Sequence, residues 1–201
     1  MGRPARFSTD DLVAAAVGLA AEKGPAAVTM AAVARAAGAP SGSLYHRFAN
    51  RPALLAAVWL HALESFQEGC RAALSASEPL TAAADTARYV LEWSRSRPDL
   101  ARILLWRSAD FDETAWPDAD RVRLESANAE VGALLAVLAR DLRDPGEPEE
   151  RARERVALAV VELPLALVRR HLVRERGVPE EAASLAADAA RRLLTPPPTP
   201  A

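Results

Sequence analysis

Between Ser41 and Arg51 the chain reads Ser-Gly-Ser-Leu-Tyr-His-Arg-Phe-Ala-Asn-Arg, a run rich in groups that hydrogen-bond and poor in groups that react. An arginine such as Arg47 presents a planar fork that matches two adjacent acceptors, the pattern of a guanine edge. Ser43 or His46 can meet a base edge or a phosphate. Nothing in the sequence completes an acid, base and nucleophile set. His46, His61 and His171 lack metal-ligand spacing with Cys70. Asp110, Asp112 and Glu113 lack the glycine and distal glutamate of a calcium loop, and read as a solvated acidic loop. No glycine-rich phosphate loop or nucleophile elbow is present. The chemistry expected is recognition, with no metal, no organic cofactor and no catalysis.

The charge distribution agrees. A chain of 201 residues with formal net charge −2 does not coat nucleic acid along its whole length. Residues 1–51, however, hold six basic side chains against three acidic ones, a net of +3 that leaves −5 for the remainder. A basic head on an acidic body suits a localised contact with double-stranded DNA. Arg3 and Arg6 form a short basic arm, either solvated or laid in a minor groove. Half of the residues are apolar and only 5% aromatic, so the core is built from Ala, Leu and Val. These are mostly strong helix formers, and an all-α fold follows. Cys70 has no partner for an intrachain disulfide, which points to a reducing interior. The N-terminus shows no apolar signal region. The longest apolar run, Val156 to Val168, is interrupted by Glu162 and Pro164 and is too short for a bilayer. The expected location is cytoplasmic, at the nucleoid, with no membrane contact.

Punctuation in the sequence defines the elements that must position Arg47. Ser8 and Asp11 form a capping box that opens a first helix through Leu12, Ala16 and Leu19, and Gly24-Pro25 ends it. Thr29 caps a short second helix closed by Gly38, and a third runs from about Ser41 to Phe48. Two short helices that cross steeply need small or apolar contact residues and a glycine at the turn. Val33, Ala34, Ala37 and Gly38 supply these, and Leu44 with Phe48 point back into the core. At about 100° per residue, Gly42, Ser43, His46 and Arg47 then face outward, with Tyr45 at one edge. This is the geometry of a helix that enters the major groove. Thr29 and Arg51 flank it at helix N-termini, where phosphates are readily held.

Beyond the head, Asn50 caps a long fourth helix with a buried stripe at Leu54, Leu55, Val58, Trp59, Leu63 and Phe66. A fifth helix spans about Leu80 to Ser96, and a sixth about Pro98 to Trp106. An acidic loop occupies Ala109 to Pro117, and a seventh helix covers about Asp118 to Leu142. Asp144 to Pro148 is a linker. The eighth helix, about 149–176, contains Pro164, and the ninth, about 179–194, follows Pro179. The tail 195–201 is proline-rich and reads as disordered.

The residues Thr29, Val33-Ala34, Ala37-Gly38, Ser41 to Phe48, Asn50-Arg51 and Leu54-Leu55 together resemble the TetR family of bacterial transcriptional regulators, most strongly over Phe7 to Phe66. Three positions depart from its pattern. Pro40 stands where a serine cap is frequent, Ser41 where lysine is frequent, and Ala20 where phenylalanine is frequent. The first two remove phosphate contacts and shift weight to Arg47, Arg51 and the Arg3/Arg6 arm. The resemblance implies a DNA-binding head over 1–50, with DNA contacts at Thr29, Ser41, Gly42, Ser43, Tyr45, His46, Arg47 and Arg51. It further implies a helical effector-binding and dimerisation domain over 51–194. On this reading the chain is a ligand-responsive repressor bound to a palindromic operator as a homodimer.

The residues of the body agree with a dimer through the last two helices. The Val156–Val168 stretch is apolar on all sides but Glu162, which calls for cover all round. In the ninth helix Ala182, Ala183, Ala186, Ala187, Ala189 and Ala190 are small enough for close helix approach, with Leu185, Leu193 and Leu194 for bulk. Pro164 is expected to kink its helix and open space beside the core. A pocket for a small apolar or amphipathic effector is expected among Phe66, Tyr89, Trp93 and Trp106 near Pro164, with Arg102, Glu162 or His171 as polar anchors. For each aromatic the alternative is ordinary core packing, and for Glu162 a buried ion pair. Two other functions remain: a DNA-binding protein without an effector, and a helical enzyme with a DNA-binding head.

Overall fold

The computed structural model describes residues 7–75, 78–174 and 177–195. The arm residues Arg3 and Arg6 and the tail beyond Thr195 lie outside them. Among the described residues there is no strand; the helices are α1 (Thr9–Lys23), α2 (Met30–Ala36), α3 (Ser41–Tyr45), α4 (Arg51–Leu74), α5 (Pro79–Ser96), α6 (Pro98–Leu104), α7 (Asp118–Asp141), α8 (Glu149–Ala157), α9 (Leu163–Val173) and α10 (Glu180–Leu194). A π-helical turn, Leu158–Glu162, joins α8 to α9, so these form one interrupted rod. With that rod counted once, the described residues carry the nine helices expected. None is long and apolar enough to cross a membrane.

Two units emerge. The first takes in the described residues up to Glu64 together with Asp99–Glu125, and the second Ser65–Pro98 with the described residues from Ser126 onward. The sequence suggested a division near residue 50. Compactness divides the chain elsewhere, because α6 and the segment after it share a core with the head. That core contains Leu12, Ala16, Val33, Leu44, Leu54, Leu55 and Val58, and also Ile103, Phe111 and Trp116.

Local chemistry explains the helix ends. The Ser8 hydroxyl accepts from Asp11 N–H at 3.0 Å, and the Asp11 carboxylate accepts from Ser8 N–H at 2.8 Å, closing the capping box. The Ser8 N–H, and the Ser8 hydroxyl that also donates to the carboxylate at 2.8 Å, hold the Asp11 carboxyl below its ordinary pKa. Thr29 caps α2 by accepting from Ala32 N–H at 3.1 Å, and Asn50 caps α4 by accepting from Ala53 N–H at 2.9 Å. Gly38, at φ +63°, ends α2 in a left-handed turn that lets Gly38 N–H reach Arg35 O and Ala39 N–H reach Ala34 O. A side chain there would be strained, which is why the turn needs glycine.

The segment between α6 and α7 is more ordered than the solvated loop expected, although Asp112 is exposed. It is two 3₁₀ turns, Ser108–Phe111 and Glu113–Ala115. Phe111 is fully buried, with its ring centroid 5.2 Å from that of Trp59. The Trp116 indole N–H donates to Phe111 O at 2.7 Å. Two aromatic anchors outweigh the acidic character of the residues between them.

In the second unit α10 lies along α5. Ala82, Ala83, Ala84 and Ala87 of α5 are buried, as are Ala182, Ala183, Ala186, Ala187 and Ala190 of α10. Five of the six alanines of the last helix are therefore spent within the same chain, not on a second copy, and Ala189 is half-buried. Pro164 is buried and lacks the N–H that a helix would direct to Val160 O. The rod continues by widening: Leu163 N–H bonds Leu158 O, five residues back.

Candidate functional site

The reading helix α3 is a single turn of five residues, shorter than the sequence suggested. Leu44 and Phe48 are buried beneath it as expected. Phe48 N–H still bonds Leu44 O at 2.8 Å although the helix has ended, so the inward pair survives the shortening. On the opposite side Ser41, Gly42, Tyr45 and His46 are exposed, Tyr45 at 61%, while Ser43 and Arg47 are half-buried. Phe7, Gly38, Pro40, Gly42, Ser43, His46 and Arg47 line an open concavity of about 810 Å³. Pro40 precedes α3 without a side-chain cap, in keeping with the loss of a serine there.

The two arginines assigned to DNA have protein partners. Arg47 donates to Phe7 O at 2.5 Å and to Ser43 O at 3.2 Å, which pins Phe7, just ahead of the α1 cap, to the reading helix. Arg51 donates from Nε to Val28 O at 2.8 Å and from Nη2 to Pro25 O at 2.9 Å. Its Nη1 meets the Asp112 carboxylate at 2.6 Å. Arg51 thus ties the start of α4 to the segment leading into α2. Thr29 is exposed, with its hydroxyl oxygen already capping α2.

Of the residues assigned to an effector pocket, the second unit brings three together. Phe66 lies 5.7 Å from Tyr89 and 5.1 Å from Trp93, centroid to centroid. Tyr89 rests on α4 at Gly69, and its hydroxyl donates to Phe66 O at 2.8 Å. Burial raises the Tyr89 phenol to about 12 and the Cys70 thiol to about 11. Trp93 Nε1 and Gln67 Oε1 are buried without a protein partner, while Gln67 Nε2 donates to Asn128 Oδ1 at 3.2 Å. A shallow groove of about 770 Å³ runs past Ser65, Gly69, Tyr89, Trp93 and Arg97.

The other assigned residues go elsewhere. Arg102 and Trp106 belong to the first unit, where Arg102 pairs with Asp99 and Trp106 is 46% exposed beside Gly24. Glu162 is exposed, so it is neither a buried ion-pair partner nor an anchor within the aromatic cluster. Pro164 is buried and His171 half-buried on the rod. Asp112, Gly69 and Gln67 were not singled out from sequence as site residues. Only Gly69, a glycine inside a long helical pattern, carried a legible signal, that of close approach. No cluster of three metal-ligating side chains exists among the described residues.

Residues 12–58 match a family model described as bacterial regulatory proteins of the tetR family. No curated protein matches the chain as a relative. Solved structures with the same fold cover nearly its whole length. The TetR family transcriptional regulator PfmR of Thermus thermophilus is 19% identical, with a TM-score of 0.69 over 94% of this chain and 97% of its own. The transcriptional regulator FadR of Bacillus subtilis, solved with stearoyl-CoA, is 15% identical, with a TM-score of 0.69 over 94% and 98%. The ketosteroid transcriptional regulator KstR2 of Mycobacterium tuberculosis is 18% identical, with a TM-score of 0.69 over 96% and 95%.

Proposed function

We propose, from the match of residues 12–58 to the model of tetR-family bacterial regulatory proteins, that the chain is a ligand-responsive transcriptional repressor acting as a homodimer on a palindromic operator. One observation carries the reading. The single turn of α3 is anchored by the buried Leu44 and Phe48 and presents Gly42, Ser43, Tyr45 and His46 outward. Small residues at the start of that turn let the backbone sink into the major groove, and the polar groups behind them meet base edges and phosphates.

The second unit supports regulation. Its apolar surface includes Leu158, Leu163 and Leu165 on the rod and Leu185 and Leu193 on α10, all at least 38% exposed. Leucines on the free faces of two neighbouring helices fit a second copy of the same pair, giving a four-helix interface. An apolar or amphipathic effector would suit the groove beside the Phe66–Tyr89–Trp93 cluster, where the buried Trp93 N–H lacks a protein acceptor. Its binding would favour one spacing of the two reading helices over another. Such a regulator works on the nucleoid, in the cytoplasm.

Selection of bound DNA from a random pool, repeated at two salt concentrations, tests this function. A two-fold symmetric sequence enriched at both is expected, since phosphate contacts alone fade with salt. Recovery of no preferred sequence would remove the assignment.

A further inference from the structure

Arg51 is held on three sides. Two of its nitrogens donate to the backbone carbonyls of Val28 and Pro25, which fix the guanidinium at the edge of the helix-turn-helix. The third meets the Asp112 carboxylate at 2.6 Å, and about a third of the arginine side chain and half of the aspartate remain exposed. Asp112 reaches it from outside the helix-turn-helix, on the segment between α6 and α7. That segment is built to hold its place. Phe111 is buried against Trp59, Trp116 bonds back to Phe111 O, and the Ser108 hydroxyl donates to Glu113. Asp112 itself adopts φ +59°, the only non-glycine residue with positive φ among the described ones. The backbone accepts an uncommon conformation at the one position whose carboxylate touches Arg51.

We propose that Asp112 occupies the place of a DNA phosphate on Arg51 and so sets the affinity of the protein for its operator from outside the reading motif. A carboxylate and a phosphate both accept from a guanidinium fork, and the two anions compete for the same exposed nitrogen edge. With Asp112 in place, the charge of Arg51 is already compensated. A phosphate that reaches it must displace the carboxylate, and little counterion release is gained from that contact. The inference rests on the DNA-binding reading, and the two fail differently. Absence of any selected DNA sequence ends the reading itself, whereas the comparison below is made only on DNA that the parent protein binds.

Asp112→Asn is nearly isosteric and removes the charge, and asparagine tolerates the left-handed region at least as well as aspartate. Binding of the full chain to its selected operator is followed by fluorescence anisotropy across a range of salt concentrations, with Asp112→Gly as a second variant free of backbone strain. Both variants are expected to bind about five-fold tighter per protomer at low salt, the scale of one exposed ion pair. The dependence of log K on log salt should steepen by about 1.8, one added phosphate contact from each protomer of the dimer. In an Arg51→Gln background Asp112→Asn should change neither quantity. Unchanged or weaker binding by the single variants overturns the proposal. So does tightening that persists equally without Arg51, which would mark a general charge effect.

Discussion

Gly69→Ala tests how tightly the second unit is packed around its aromatic cluster. An added Cβ would fall 2.6 Å from Tyr89 Cζ and 2.7 Å from its hydroxyl oxygen, well inside van der Waals contact. Favourable carbon–carbon contact needs about 3.5–4.0 Å, so the ring must retreat by about 1 Å or more. Tyr89 is poorly placed to yield, because its hydroxyl donates to Phe66 O at 2.8 Å and its ring packs against Phe66. Overpacking of this kind costs about 1–3 kcal/mol, and the displaced hydrogen bond about 1 kcal/mol more. Alanine returns about 1 kcal/mol of helix propensity. The net is a destabilisation of about 1–3 kcal/mol, a fall in Tm of about 3–10 °C for a chain of this length. Thermal unfolding followed by circular dichroism reads it directly. The sign should reverse in a Tyr89→Ala background, where the ring is gone and only the propensity gain remains. A Tm for Gly69→Ala at or above that of the parent would refute the steric reasoning.

Arg47→Ala should lower operator affinity by about ten- to a hundred-fold, the scale of one base contact, because it frees Phe7 from α3 and removes a cation from the concavity beside the reading turn. Equal affinity in an anisotropy titration would remove Arg47 from the interface. Burial holds the Cys70 thiol at about 11 and the Tyr89 phenol at about 12 in the folded chain, against ordinary values of 9.0 and 10.0. The folded state therefore keeps protons that the unfolded chain releases. The stability this contributes is intact below pH 9 and is lost as pH rises toward 11 and 12. Urea midpoints should be level below pH 9 and decline above it, with Cys70→Ala moving the onset toward pH 10; a midpoint independent of alkaline pH would contradict the burial. Leu185→Glu, at a position 61% exposed on α10, should convert the proposed dimer to monomer in sedimentation equilibrium and weaken operator binding with it. A dimer that persists would place the interface elsewhere.

Local grammar determined the head of this protein. The Ser8–Asp11 box, the Thr29 and Asn50 caps and the Gly38 turn all lie within a few residues of the groups they satisfy, and the inward pair Leu44 and Phe48 follows from helical spacing. Each was legible in the sequence because both partners are near in the chain. The number of helices was legible for the same reason. Three outcomes belonged to the tertiary structure alone. An alanine-rich face signals close approach but not its partner, and for α10 that partner is α5 of the same chain. The acidic run before α7 looked solvated, yet Phe111 and Trp116 anchor it in the first core. Arg51 is the sharpest case. As one more basic residue at a helix start it read as a phosphate anchor, but its guanidinium is held by Val28, Pro25 and the distant Asp112. Which anion an arginine meets depends on carbonyls and a carboxylate brought to it by chain folding, and sequence spacing carries no record of that encounter.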